Sequence, residues 1–139
     1  MSTSLKNRVE LVLQLLDRLG KESAKGVPIL VEGRKDVNTL RELSIDGEII
    51  SVKTSGRSIV DVLADVESRG LQEVVLMMDF DRRGRELTKR LTQHFEEARI
   101  KPNRFFWSRL RGLAGREVKD IEGLATYLEN LKKKCGERI

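Results

Sequence analysis

Apolar residues along the chain come in two rhythms. Leu5, Val9, Val12, Leu13, Leu16 and Leu19 recur at helical spacing behind the cap candidates Ser2, Thr3 and Ser4 and run up to Gly20, which predicts an amphipathic helix. KGVPILVEG breaks that rhythm: a short continuous apolar run, opened by Pro28 and closed by Gly33, predicts a strand, and RKDVNTLRELS after it has the density of a helix. The alternation continues. GEIISVKT predicts a strand, and SIVDVLADVESRG a helix with Ile59, Val60, Leu63 and Val66 on one face and a stop at Gly70. LQEVVLMMD predicts a strand with Met77 and Met78 in the core, GRELTKRLTQHFEEAR a helix, NRFFWSRL a fourth strand, and VKDIEGLATYLENLKKK a last helix. Strands alternating with helices of this length imply right-handed crossovers. The expected fold is α/β: a mostly parallel four-stranded sheet sandwiched by helices, with an extra helix at the N-terminus.

Composition sets the scale of that fold. With 139 residues, 39% of them hydrophobic, the chain suits one compact domain and is too short for two ordinary ones. The expected division is an N-terminal helix (1–26) packed on the core, a core domain (27–131) and a frayed tail (132–139). Cys135 is the single cysteine and has no internal disulfide partner; no apolar run approaches the roughly 18 residues of a membrane span, and MSTSLKNRVE lacks a signal-peptide pattern. These features point to a reduced, cytoplasmic protein with no membrane partner. The net charge of +5 favours an anionic partner such as nucleic acid.

The chemistry concentrates in LMMDFDRRGRE, residues 76–86. A buried strand that ends in Asp79 and Asp81 sets two carboxylates one residue apart, an arrangement that repels itself unless a cation or a set of donors intervenes. In doubly wound sheets ligands sit beyond the carboxyl ends of the strands, near the point where strand order reverses. PILVE ends there at Glu32. If the two strands are neighbours, Glu32, Asp79 and Asp81 converge, and oxygen ligands of this kind suit Mg²⁺, with Mn²⁺ as a substitute. A second reading stays open: either aspartate caps the following helix, with Arg82 or Arg83 as ion partner.

This constellation resembles the Toprim family, the Rossmann-like domain shared by topoisomerases, bacterial-type primases and certain nucleases. The resemblance rests on V-E-G-R-K-D (Glu32, Gly33, Asp36) and on D-F-D (Asp79, Asp81) followed by Gly84, and spans about residues 27–125. It implies that Glu32 acts as general acid or base beside the metal and that Asp79 and Asp81 are metal ligands. KTSGRSI is similar to the Thr-x-Gly turn of the Toprim maturase ribonucleases; Lys53, Thr54, Ser55, Gly56 and Ser58 offer charge, hydroxyls and amides to a phosphate, or simply form a capped loop. The chain departs from the family at Arg83, where several relatives carry a third acid. A second domain with a nucleophilic tyrosine is not expected, Tyr127 being expected to pack, and one cysteine does not suit a primase zinc module. The resemblance is therefore to small stand-alone Toprim proteins of prokaryotes, particularly archaea.

Basic residues support nucleic acid as the partner. Arg34 follows the first motif; Arg82, Arg83, Arg85, Lys89 and Arg90 follow the aspartates, with Lys89 and Arg90 read as a solvated helix face; Arg109, Arg111 and Arg116 are expected on the carboxylate rim beyond the fourth strand. Phe106 and Trp107 either stack a base or are buried. Asp120 and Glu122 either approach the site or form the acidic first turn of the last helix. The expected function is Mg²⁺-dependent phosphodiester hydrolysis, with structured RNA ahead of DNA. Its competitor is a non-catalytic or partner-dependent module that binds RNA, DNA or a ribonucleoprotein.

Overall fold

The computed structural model describes residues 2–53, 58–134 and 136. Thr54, Ser55 and Gly56 lie outside them, as do Cys135 and residues 137–139 of the tail. In chain order the elements are α1 (Ser2–Ala24), β1 (Ile29–Val31), α2 (Arg34–Glu42), β2 (Ile49–Ser51), α3 (Ile59–Ser68), β3 (Glu73–Leu76), α4 (Arg82–Glu97), β4 (Lys101–Asn103), α5 (Phe105–Ala114) and α6 (Ile121–Lys134). The strands form one parallel sheet in the order β2-β1-β3-β4. Strand order reverses between β1 and β3, so the two strands that end in carboxylates are paired at the centre, Ile29 opposite Val75 and Leu30 opposite Leu76.

Side chains on successive strand residues point to opposite faces, and continuous apolar runs therefore feed two cores. Ile29, Val31, Val75 and Met77 join α1, α2, α5 and α6 in one cluster, with Val12, Leu19, Leu40, Leu110 and Leu124 fully buried. Leu30, Val74, Leu76 and Met78 join α3 and α4 in the other, around Val62, Val66, Leu91 and Phe95. Helices on both faces give the α/β sandwich that the alternation predicts, and α1 is the extra N-terminal helix.

Two boundaries differ from expectation for identifiable reasons. α1 continues through Gly20 to Ala24, and the turn falls at Gly26, whose φ of 96° suits glycine. A mid-helix glycine costs about 1 kcal/mol, less than the burial of Leu19 on its near side contributes. The larger correction concerns NRFFWSRL, which is not a strand. β4 is only Lys101–Asn103, with Pro102 tolerated because β4 is an edge. Asn103 ends it: its Oδ1 accepts the Phe105 amide at 2.9 Å, opening α5. Phe106, Trp107, Leu110 and Ala114 are buried while Ser108 and Arg109 are exposed, a helical pattern that the dense aromatic cluster disguises.

Candidate functional site

Glu32 leaves the end of β1 with only 5% of its surface exposed. A carboxylate this buried must be matched, and it is: Oε2 accepts the Asp79 amide at 2.9 Å and Oε1 meets Lys53 Nζ at 2.9 Å. The first bond joins the two central strand ends directly. The second follows from register, because β2 pairs beside β1 and carries Lys53 to the rim, its amide donating to the Glu32 carbonyl.

Asp36 lies one turn into α2 and is also buried, its Oδ2 accepting the Gly33 amide at 3.1 Å. Burial pushes its carboxyl above the ordinary value; the Gly33 amide opposes that, and Asp120, Glu32 and Glu122 add to it. Asp81 caps α4, with Oδ1 accepting the Gly84 amide at 2.8 Å, so the capping reading holds for Asp81 and leaves Oδ2 uncommitted by that bond. Asp120 plays the matching part at α6, taking the Gly123 amide on Oδ1 at 2.6 Å. It also faces Asp36 and Asp79 closely enough to repel both.

Asp79 is the exception in this set. It is half-buried, and among the described residues its carboxylate has no hydrogen-bond or ion-pair partner. Desolvation, then Glu32, Asp36, Asp120 and Asp81 in that order, push its pKa up to about 7. Its backbone, by contrast, is held firmly. The carbonyl accepts the Trp107 indole N–H at 3.3 Å, and the next residue, Phe80, donates its amide to the Lys119 carbonyl at 2.6 Å. Gly84 packs so tightly beneath that a Cβ there would overlap the Asp79 carbonyl. A fixed, half-buried carboxylate without a donor, ringed by four acids, is a place for a cation.

The donors are hard oxygens, which fit Mg²⁺ or Mn²⁺. Among the described residues no three acidic, histidine or cysteine side chains are grouped so that they could hold a metal ion together. That spacing still fits Mg²⁺, which is commonly held by one or two carboxylates and keeps several waters. Glu32, Asp79 and Asp81 are the residues expected from sequence; Asp36 and Asp120 join them electrostatically, Asp36 having appeared only as part of a motif and Asp120 as one of two alternatives.

The basic residues separate. Arg34 and Lys53 are exposed at the ends of the flanking elements. Arg82 pairs with Glu86 at 3.3 Å, and Arg83 is exposed beside it. Arg111 lies 5.5 Å from the Trp107 ring centre, and Arg109 5.0 Å from that of Phe105. Since α5 is a helix, Arg109 and Arg111 do not share one rim as a strand would have them. Phe106 and Trp107, 3% and 8% exposed, are buried and not open to a base; Trp107 instead positions Asp79.

Residues 27–110 match the Toprim domain model. The chain belongs to the Toprim family. Among similar proteins, the UPF0292 protein of Methanosarcina acetivorans is 34% identical over 131 residues, covering 94% of this chain and 89% of that protein. The UPF0292 protein of Methanocaldococcus jannaschii is 36% identical over 120 residues, covering 86% and 91% respectively. A solved structure of a protein from Aquifex aeolicus superposes with a TM-score of 0.67 at 25% identity, covering 78% of this chain and 94% of that one. Toprim membership supports a nucleic-acid-related, metal-dependent role in general terms, and Toprim domains generally bind Mg²⁺ through acidic residues. Among the described residues of this Toprim protein no helix is long and apolar enough to cross a membrane.

Proposed function

We propose that this Toprim protein hydrolyses phosphodiester bonds with Mg²⁺, on structured RNA in preference to DNA. The observation that supports the reading is Asp79: a half-buried carboxylate with no donor among the described residues, at the carboxyl end of a central strand, among Glu32, Asp36, Asp81 and Asp120. Asp79 and Asp81 would hold the ion with Glu32 beside it, and the chemistry the ion would supply is to polarise a nonbridging phosphate oxygen. Glu32 is the residue suited to move a proton, because the Asp79 amide orients one of its oxygens while the other pairs with a half-exposed lysine. Lys53, half-exposed, is free to turn from Glu32 to a substrate phosphate, releasing that oxygen. Arg34 would add a phosphate contact beside β1, with Arg82, Arg83, Arg111 and Arg116 on the α4–α5 side; Thr54, Ser55 and Gly56 are phosphate-contact candidates from the sequence alone, and Arg109 turns towards α1 instead.

The test is cleavage of end-labelled structured RNA and of single- and double-stranded DNA with Mg²⁺, Mn²⁺ or EDTA, comparing wild type with Asp79→Ala. Metal-dependent products that disappear in the variant are expected, with RNA cut faster; an Asp79→Ala protein that cleaves at the wild-type rate overturns the assignment. Two observations favour a second reading, a binding module with little turnover: Lys53 already neutralises Glu32, and Arg83 occupies the position of a third acid. That reading predicts salt-dependent binding indifferent to EDTA and no products.

A further inference from the structure

The arginines beyond Asp81 divide between two sides of α5. Arg109 turns over the Phe105 ring beside Arg18, whose guanidinium carbon lies 4.7 Å from the same centroid, on the side facing α1. Arg111 and Arg116 instead border a cleft of about 490 Å³, together with Arg82 and Arg85 at the start of α4. Asp81 is the single acid among its lining residues, and one oxygen of that carboxylate is taken by the Gly84 amide. Arg82 has Glu86, and Arg111 has the Trp107 ring. Arg85 and Arg116 are exposed and have no ion pair among the described residues. Gly112 leaves the α5 wall bare, with open space where a Cβ would stand.

Four guanidiniums converging on one cleft favour a ligand with several anionic oxygens, and planar N–H forks match phosphate in particular. The cleft also adjoins the acidic pocket. Asp81 reaches it two residues after Asp79 enters the pocket, and Arg116 lines it four residues before Asp120 presses on Asp79. The bond from the Phe80 amide to the Lys119 carbonyl fastens these two segments together. A site that attracts a cation, next to one that attracts anions, fits successive phosphates of one strand.

We propose that the cleft between α4 and α5 is a phosphate subsite for a polynucleotide, taking the backbone phosphate next to the one presented to Asp79. The assignment rests on reading the acidic pocket as a phosphodiester site, and it gives Arg85 and Arg116 the leading part. The experiment measures anisotropy of a short labelled single-stranded RNA across a salt series in EDTA. It compares wild type, Arg85→Ala/Arg116→Ala, and Lys89→Ala/Arg90→Ala, the last removing the same charge from exposed α4 positions outside the cleft. The cleft variant is expected to bind about tenfold more weakly and to lower the salt slope by about one, with the control close to wild type. Equal losses in the two variants, an unaffected cleft variant, or wild-type binding without salt dependence overturn the proposal. So does AMP binding as tightly as the RNA with the same dependence on Arg85 and Arg116, which identifies a free-nucleotide site instead. Cleavage is read separately: cleft-dependent binding without products retains the subsite and removes the nuclease, whereas metal-dependent cleavage with normal binding in the cleft variant does the reverse.

Discussion

The acidic pocket and the arginine cleft flank the three residues from Asp79 to Asp81, and they hold like charges in different ways. In the pocket, backbone amides each take an oxygen of Glu32, Asp36, Asp81 and Asp120, so four acids are fixed while the fifth, Asp79, is left unmatched. In the cleft Arg82 pairs with Glu86 and Arg111 lies against Trp107, while Arg85 on α4 and Arg116 just past α5 are exposed and have no ion pair among the described residues. Fixed charge around one unmatched group selects a small ion in a set position; solvated charge on long side chains attracts a polyanion with little positional demand. On the proposed reading, chemistry belongs to the pocket and grip to the cleft.

The most severe way to break that contrast is to neutralise the unmatched group. Asp79→Asn keeps the shape and the backbone bonds to Glu32 and Trp107 but removes the repelled charge. Cleavage should fall to background, and the metal-free protein should melt higher than wild type at pH 8, because an uncompensated half-buried carboxylate has been removed. Lower melting of the variant under those conditions would show that Asp79 is already compensated. Next in size is Glu32→Gln, which can still accept the Asp79 amide but cannot take a proton as a base. A rate loss of roughly 10²–10⁴ is expected, with circular dichroism and the Mg²⁺-induced rise in Tm largely retained. A loss below tenfold would assign proton transfer to another group.

Much of this contrast is legible in the chain itself, and the exceptions have physical causes. PILVE and VVLMM read as strands because both sheet faces are covered and the runs are continuously apolar. Glu32 and Asp79 stand out because carboxylates at the ends of such runs need a reason. The bond from Lys53 to Glu32 is invisible, since it depends on the register of β2 against β1. FFWSRL misleads because three aromatics in succession satisfy strand preference, while burial at Phe106, Leu110 and Ala114 follows helical spacing. That one error moves Arg109 away from Arg111 and hides the cleft, which forms only when the end of α5 is set against the start of α4. Asp120 carried a signal in its position just before a helix, but proximity to Asp79 comes from the Phe80–Lys119 bond.

A smaller effect probes the seam between the two regions. Alanine is favoured over glycine within a helix by about 1 kcal/mol, so Gly84→Ala should stabilise α4 if the position were open. It is not: the added Cβ would overlap the Asp79 carbonyl, a backbone atom that cannot swing aside as a side chain can. Overpacking of this kind costs about 1–3 kcal/mol, and the clash should win. Net destabilisation by urea titration is expected, with cleavage reduced more than RNA binding because Asp79 is displaced while the arginines are not. A variant at least as stable as wild type would mean that α4 can retreat from the strand end.

The smallest effect is set by the proton that competes with the ion. With Asp79 raised to about 7, the folded protein binds its proton more tightly than the unfolded chain does. Between the ordinary carboxylate range and about pH 7 the native state therefore holds more protons than the unfolded one, and metal-free stability from this group falls as pH rises through that window. Above it the loss is complete and the curve is flat. An ion at Asp79 replaces the proton, so the gain in Tm on adding Mg²⁺ should be slight at pH 5, grow to a few degrees by pH 8, and show its half-point near pH 7. Asp79→Asn should erase that dependence. The cleft provides the internal comparison, because arginines keep their charge throughout the range: RNA binding in EDTA by the Asp79→Asn protein should stay constant from pH 6 to 8 while the Mg²⁺ response of the wild type changes. If both move together with pH, the two regions are not separate in function; if neither moves, the ion is held by groups other than Asp79.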